Sequence, residues 1–134
     1  MCIRDRPNTM QNNPKYQNVL LDIYDYFENG INTKFKDKKI ILDPGIGFGK
    51  TLKHNLTLIS KISLFHSLGL PILIGTSRKR FINQISGEYD TVDRTGGTLA
   101  SILFLLSQGV QIFRVHNVKE IKQGILVFEK INEK

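Results

Sequence analysis

Residues 39–51 read Lys-Ile-Ile-Leu-Asp-Pro-Gly-Ile-Gly-Phe-Gly-Lys-Thr, an apolar run followed by a glycine loop. A short apolar run that is closed by Pro-Gly is typical of a buried strand, here residues 39–43. Two further apolar runs, residues 71–75 and 110–116, predict two more strands. The segments between the strands have helical spacing. Strands that alternate with helices predict an α/β fold with a parallel sheet.

Apolar residues spaced three or four positions apart predict the helices. The first contains Tyr16, Leu20, Ile23 and Phe27 and ends near Gly30; the others cover residues 55–68, 77–86 and 99–106 and the segment after Asn117. Asn117 followed by Glu120 resembles a capping box at the start of the last helix. About three strands make a small sheet, which is either a minimal doubly wound domain or part of a larger structure.

Composition excludes several classes of protein. The chain has 134 residues, 40% of them hydrophobic and 23% charged, which is an ordinary globular composition. No run of about 18 apolar residues occurs, so no membrane span is expected. A single Cys cannot form an internal disulfide and fits a reducing cytoplasm. The net charge of +7 invites a nucleic-acid interpretation, but we expect no such partner, because the cations converge on one strand edge without interleaved aromatic residues.

The unusual residues follow the predicted strands. Asp43 and a glycine loop follow the first strand, residues 76–79 follow the second, and Arg114 and His116 close the third. All three clusters are expected at the carboxyl ends of parallel strands. Ligands bind at that edge in both open α/β sheets and α/β barrels.

The glycine loop fits neither familiar phosphate-binding motif. A Walker A loop would need Gly at position 44, which is Pro, and a dinucleotide fingerprint would need Gly at position 50, which is Lys. Asp43 can accept two parallel N–H bonds from a guanidine-like ring edge, or it can cap its own glycine turn. Both interpretations stay open on the sequence alone.

Two basic clusters suit anions. Residues 77–80, Ser-Arg-Lys-Arg, open a predicted helix whose N-terminus favours phosphate or carboxylate, although they could be a solvated basic stretch. Arg114 and His116 alternate along a strand and so point to one side. They could bind phosphate or be satisfied by backbone groups. His54 and His66 are interpreted as structural or solvated, and no residues have the spacing of an autonomous zinc site.

In order and content, five stretches resemble the dihydropteroate synthase family over residues 7 to about 131. They are Thr9-Met10-Gln11 with Pro14 and Tyr16, residues 42–50 with His54-Asn55, residues 75–82, residues 94–98 and residues 111–116. The resemblance implies the C-terminal half of a TIM (β/α)8 barrel. It also implies condensation of para-aminobenzoate with 6-hydroxymethyl-7,8-dihydropterin diphosphate, which yields 7,8-dihydropteroate and pyrophosphate in folate biosynthesis.

The resemblance also implies roles for single residues. For the pterin, Asp43 would bind the amino-pyrimidine edge, Lys79 the other polar side, and Phe48 would lie near the ring. Arg114 and His116 would hold the diphosphate.

The aminobenzoate carboxylate would be received by Ser77 and Arg80. Two departures from the family stand out: Asn117 replaces a common Asp, and Arg80 replaces a common hydroxyl residue.

A full barrel has about 250 residues, so the resemblance implies a fragment that lacks the first strands. The Mg²⁺ expected for the full-length enzyme would take its protein ligand, an Asn, from that missing half, so no metal ligand is expected in this chain. Residues 1–6 resemble nothing in the family and are interpreted as a non-native leader before a partial domain, 7–134. A homodimer is expected for the full-length family. The alternatives are a catalytically inactive half-barrel and a related pterin-binding methyltransferase barrel.

Overall fold

The computed structural model describes residues 2–4, 18–87, 90 and 94–133. Each strand is followed by one or two helices, so the mixed order of strands and helices that the sequence predicts is confirmed. In order they are β1 (Cys2–Arg4), α1 (Val19–Asn32), β2 (Ile41–Asp43), α2 (Leu52–Ser60), a 3-10 helix (Ile62–Leu68), β3 (Leu73–Ile74), α3 (Arg80–Ser86), α4 (Thr95–Ser107), β4 (Ile112–Phe113) and α5 (Val118–Asn132).

All strand pairings are parallel. β1 pairs with β2, and β3 pairs with β4 through Leu73 opposite Ile112. An isolated parallel bridge between Leu42 and Ile72 joins the two pairs. The strands therefore lie in the order β1, β2, β3, β4, and the carboxyl ends of the last three meet at one edge.

The three predicted strands are confirmed as β2, β3 and β4, each shorter than its apolar run. The count of about three was wrong by one, because β1 also forms and pairs with β2 in the register Cys2–Ile41 to Arg4–Asp43. β1 has only three residues and lies beside charged neighbours, so its sequence contains no apolar run that would predict a strand. The origin of residues 1–6 as a leader is a separate question and stays a prediction.

The core lies between the strands and α1, α2 and the 3-10 helix. Phe27 and Phe65 are fully buried and meet edge to face, with ring centroids 5.7 Å apart. Ile23 and Phe27 confirm the predicted apolar face of α1, whereas Tyr16 lies outside the described residues. Burial of this face fixes α1 against the sheet, since burying each large apolar side chain contributes about 1.5–3 kcal/mol.

Several predicted helix ends differ from those observed. Gly30 does not end α1, which continues to Asn32. The helix predicted over residues 55–68 begins earlier, at Leu52, and changes to a 3-10 helix after Lys61. Gly69, at φ 74°, ends that 3-10 helix in the left-handed conformation that favours glycine.

None of the described helices is both long enough and apolar enough to cross a membrane.

Candidate functional site at the carboxyl ends of the strands

The loop after β2 winds tightly because three of its glycines have positive φ. Gly45, Gly47 and Gly49 lie at φ 73°, 84° and 59°, a region that other residues rarely adopt. Asn55, which is buried on α2, accepts a hydrogen bond from the Gly47 N–H at 2.8 Å. The ammonium group of Lys50 donates to the Phe48 carbonyl at 3.0 Å. Two side chains thus hold the loop in one conformation.

Asp43 combines a structural contact with a charged one. Its Oδ1 accepts the Gly45 N–H at 2.9 Å, so Asp43 does cap its own turn. Its Oδ2 accepts from the Arg114 guanidinium at 3.2 Å. The carboxylate is 4% exposed and the Arg114 side chain 56% exposed. A carboxylate has about four acceptor positions, and these two contacts use two of them.

Lys79 and Phe48 bring two loops into contact. The Lys79 ammonium lies 4.0 Å from the centroid of the Phe48 ring, within the range of a cation–π interaction. A methyl group added at Gly47 would lie 3.0 Å from Cδ of Lys79. The glycine therefore allows the lysine stem to pass close to the loop backbone.

Ser77 and His116 join the segments that follow β3 and β4. The buried Ser77 hydroxyl lies 2.8 Å from Nδ1 of His116 and also accepts the His116 backbone N–H at 3.1 Å. When Ser77 donates to Nδ1, the neutral imidazole has its proton on Nε2. That second nitrogen can then donate to an anion.

The start of α3 differs from the prediction. The helix begins at Arg80, not Ser77, and Thr76 to Lys79 form a turn in which the Lys79 N–H donates to the Thr76 carbonyl at 3.2 Å. Arg80 is exposed at the first helical residue. The cations of this cluster therefore lie on a turn and a seven-residue helix, and only Arg80 is helical.

The side chain of Arg78 is bound to Asn117. Its guanidinium donates from both Nε and Nη2 to Oδ1 of Asn117, at 3.3 and 3.1 Å. The predicted capping box at Asn117 is therefore wrong: α5 has no side-chain cap, because the Asn117 oxygen is bound to Arg78. Such a cap typically stabilises a helix by about 1 kcal/mol, and α5 lacks this stabilisation.

His54 and His66 are confirmed as structural residues. Nδ1 of His54 accepts the Thr51 N–H at 3.2 Å, which completes a capping box at the start of α2. Burial lowers the pKa of His54, and the nearby charges of Lys50 and Lys53 lower it further. Nε2 of His66 is bonded to the Gln108 carbonyl at 2.7 Å.

Sequence reasoning missed the support behind the turn after β3. The Arg78 N–H donates to Thr98, and the Arg78 carbonyl accepts from Arg94 at 3.0 Å. The Ser101 hydroxyl bonds both Thr76 and the Thr98 carbonyl, each at 2.8 Å. In the sequence, the only signal was the polar stretch 94–98 before the apolar helix residues. That stretch does not indicate that Thr98 bonds Arg78, which lies 20 residues earlier in the chain.

Within the described ranges, no group of three or more His, Cys, Asp or Glu side chains is close enough to hold a metal ion. The cations and hydrogen-bond donors at this edge, together with the single carboxylate of Asp43, instead suit an anionic ligand with a polar ring edge.

These features define an α/β protein whose candidate site lies at the carboxyl ends of parallel strands. More specifically, the chain belongs to the pterin binding enzyme family, whose model matches residues 1–116. The match includes residues 1–6, which the sequence alone placed outside the resemblance.

Curated relatives agree with this family. The chain is 38% identical over 133 residues to the dihydropteroate synthase of Escherichia coli strain K12, covering 96% of this chain and 47% of that protein. The chain thus spans about half the length of the curated relatives it matches.

Solved structures agree as well. The dihydropteroate synthase of Thermus thermophilus in complex with 6HMPPP is 33% identical, with a TM-score of 0.89 over 98% of this chain and 55% of that one. The same enzyme in complex with 4-aminobenzoate is 36% identical, with a TM-score of 0.82 over 86% of this chain and 46% of that one. Four parallel strands with their helices are consistent with a partial barrel of this kind.

Proposed function

We propose that this chain supplies the substrate-binding edge of a dihydropteroate synthase and forms the C-terminal half of its (β/α)8 barrel, with residues 7–134 as the pterin-binding part. The reaction joins para-aminobenzoate to 6-hydroxymethyl-7,8-dihydropterin diphosphate and releases pyrophosphate in folate biosynthesis. The observation that supports it best is the convergence of Asp43, Lys79, the Ser77–His116 pair and Arg114 at one strand edge. The relatives named above support the same reaction class.

The pterin contacts follow from the loop after β2. Asp43 accepts N–H groups from the amino-pyrimidine edge with its remaining lone pairs. Lys79 donates to the opposite polar side of the ring. Phe48, whose ring contacts the Lys79 ammonium, lies beside the bound pterin.

The diphosphate contacts follow from the end of β4. The exposed guanidinium of Arg114 provides a planar fork for phosphate oxygens, and Nε2 of His116 donates a further bond. Because the Ser77 hydroxyl is shared with His116, Arg80 supplies the positive charge for the aminobenzoate carboxylate, with Ser77 beside it.

The chemistry requires stabilisation of a leaving polyanion. The C–O bond from the methylene carbon to the diphosphate breaks, the aminobenzoate nitrogen bonds that carbon, and the nitrogen then releases one proton to solvent water. Arg114 and His116 stabilise the negative charge that grows on the departing diphosphate. Holding both substrates at one edge supplies much of the remaining acceleration, so no strong general base is required.

Mg²⁺ is proposed for the complete enzyme, where it would neutralise diphosphate charge when bound. By the family resemblance, its protein ligand is proposed to come from the half of the barrel outside this chain.

The isolated chain is expected to have little or no activity. A TIM barrel closes with eight strands, and β1 and β4 are the outer strands of the four described here. An uncovered strand edge promotes association. The homodimer and the cytoplasmic location are proposed for the complete enzyme.

The affinity for 6-hydroxymethyl-7,8-dihydropterin, with and without its diphosphate, tests the proposal. The diphosphate ester should bind the chain more tightly than the free alcohol, and Arg114→Ala should abolish the difference. Lys122→Ala, which removes one exposed cation on α5, is the matched control and should keep it. A methyltransferase-type site would bind both compounds alike, and equal affinity would therefore refute the proposal.

A coupled pyrophosphate-release assay with both substrates tests the activity of the isolated chain. Little or no turnover is expected. Robust turnover would show that the chain is not an inactive half-barrel.

A further inference from the structure

We propose that Arg78 is a positioning residue of this edge. Its hydrogen bonds to Asn117, called the tie below, hold the segment after β4 against the turn after β3 and thereby keep the Ser77–His116 pair in position. This inference rests on the proposed function only for the identity of the anion that the pair would bind.

The tie is made by the Arg78 side chain, which takes part in none of the proposed substrate contacts. The guanidinium donates twice to one oxygen of Asn117. Arg only donates hydrogen bonds, so the amide of Asn117 must present its oxygen and not its nitrogen. The oxygen that would cap α5 is used for this contact.

The backbone of Arg78 is held as firmly as its side chain. Its φ of 56° is a left-handed conformation that non-glycine residues rarely adopt. Such a conformation persists where the surroundings determine it. Here Thr98 accepts the N–H of Arg78 at 3.1 Å, and Arg94 donates to its carbonyl at 3.0 Å. Both partners are buried.

Two adjacent pairs therefore connect the same two segments. Ser77 bonds His116 twice, and Arg78 bonds Asn117 twice. Ser77 is buried, whereas His116 is exposed, so the imidazole depends on its neighbours for a fixed orientation. The anchored Arg78 supplies that constraint one residue beyond the histidine. Loss of this contact would leave the two bonds from Ser77 to hold His116 without support from the neighbouring residue.

Asn117 accepts these hydrogen bonds without neutralising the positive charge of Arg78. Its amide is neutral, so the positive charge of Arg78 still adds to the potential at this edge. An Asp at this position would accept the same bonds but would place a negative charge beside His116. The tie should therefore depend on the acceptor oxygen, while anion affinity also depends on the charge at position 117.

Hydrogen exchange of the His116 backbone amide, followed by NMR on the full chain, tests the tie directly. In Arg78→Ala and in Asn117→Ala, exchange should accelerate about tenfold, because two donors that share one acceptor oxygen contribute about as much as a single hydrogen bond to a charged group. The double variant should be no faster than either single variant, because both remove the same interaction. Asn117→Asp should retain slow exchange, and Lys122→Ala should match the wild-type protein.

Unchanged exchange at His116 in folded Arg78→Ala and Asn117→Ala would overturn the proposal. Additive effects in the double variant would also overturn it, since the two residues would then act independently. Asn117→Ala leaves the strained backbone of Arg78 untouched and keeps the test valid if Arg78→Ala fails to fold.

Titration with inorganic pyrophosphate separates this inference from the proposed function. Arg78→Ala and Asn117→Ala should weaken binding about tenfold. Asn117→Asp should also weaken it while exchange stays slow, which distinguishes the charge from the tie. Absence of pyrophosphate binding by the wild-type chain would refute the proposed function, and the exchange measurement would still decide the role of Arg78.

Discussion

Oδ2 of Asp43 accepts a hydrogen bond from Nη2 of Arg114 at 3.2 Å, which joins the ends of β2 and β4 across β3. The carboxylate proposed for the pterin and the guanidinium proposed for the diphosphate are thus in direct contact. A diphosphate that approaches Nη2 would compete with Asp43 for that nitrogen, whereas the other N–H groups of the guanidinium make no bond to Asp43. The two subsites are therefore coupled through one ion pair.

Asp43 can be dissected with two substitutions. Asp43→Asn retains an oxygen for the Gly45 N–H and removes the charge, so it should cost about 1 kcal/mol or less, as expected for a pair with an exposed partner. Asp43→Ala also leaves the Gly45 N–H unpaired and should cost about 1–3 kcal/mol more. Urea unfolding measures both. Equal losses would show that the turn contact contributes nothing. Pyrophosphate should bind Asp43→Asn at least as tightly as the wild-type chain, because Arg114 is released.

Substitution of Gly47, with Gly69 as the control position, tests how closely Lys79 approaches the glycine loop. Both have positive φ, at 84° and 74°, but a Cβ at Gly47 would meet Lys79, whereas a Cβ at Gly69 meets no described atom within 4 Å. Gly69→Ala should cost about 1–2 kcal/mol from backbone strain. Gly47→Ala should cost more and should displace Lys79 from the Phe48 ring. Urea midpoints that are equal for the two variants would contradict the close approach of Lys79.

Gly97 and Gly96 test the contact between α3 and α4. An added Cβ at Gly97 would overlap Cγ2 of Ile82, whereas at Gly96 it meets no described atom within 4 Å. Gly97→Ala should therefore lower the free energy of unfolding by about 1–3 kcal/mol. Gly96→Ala should leave it unchanged or raise it by up to about 1 kcal/mol, because alanine favours helix. Thermal unfolding that ranks the variants in the opposite order would contradict this packing.

His54 should make the stability depend on pH. Its pKa is lowered by burial and then by Lys50 and Lys53, so the unfolded chain binds its proton more readily than the folded chain. The stabilisation is complete above about pH 6.5, the ordinary pKa of histidine, and is lost as the pH falls towards the lowered value. Protonation also removes the Nδ1 lone pair that accepts the Thr51 N–H.

Urea unfolding at about pH 7.5 and about pH 5.5, on either side of the ordinary histidine pKa, measures this effect. The loss of stability between the two values should be larger for the wild-type chain than for His54→Asn, which cannot titrate. An equal loss in both proteins would assign the pH dependence to other groups.

The strand edge could be predicted from the sequence because its signals are local. Apolar runs at residues 39–43 and 71–75 end at Asp43 and directly before Thr76, and parallel strands bring such ends together. The sequence left two interpretations of Asp43 open, and the structure contains the glycine-turn contact together with a charge pair.

The remaining features depend on tertiary contacts that no local pattern encodes. Asn117 has the spacing of a capping box, but the guanidinium of Arg78, 39 residues earlier, takes its oxygen. The helix predicted from Ser77 starts at Arg80, because Arg78 adopts a left-handed conformation that Thr98 and Arg94 stabilise. β1 is too short to produce a period and forms only by pairing with β2.

The edge formed by Arg114 and His116 is proposed to bind a diphosphate. Titration of the purified chain with inorganic pyrophosphate at two salt concentrations measures this binding. Binding should weaken as salt rises, be lost in Arg114→Ala and persist in Lys122→Ala. Binding that is equal in Arg114→Ala and the wild-type chain, or equally weakened in Lys122→Ala, would contradict it.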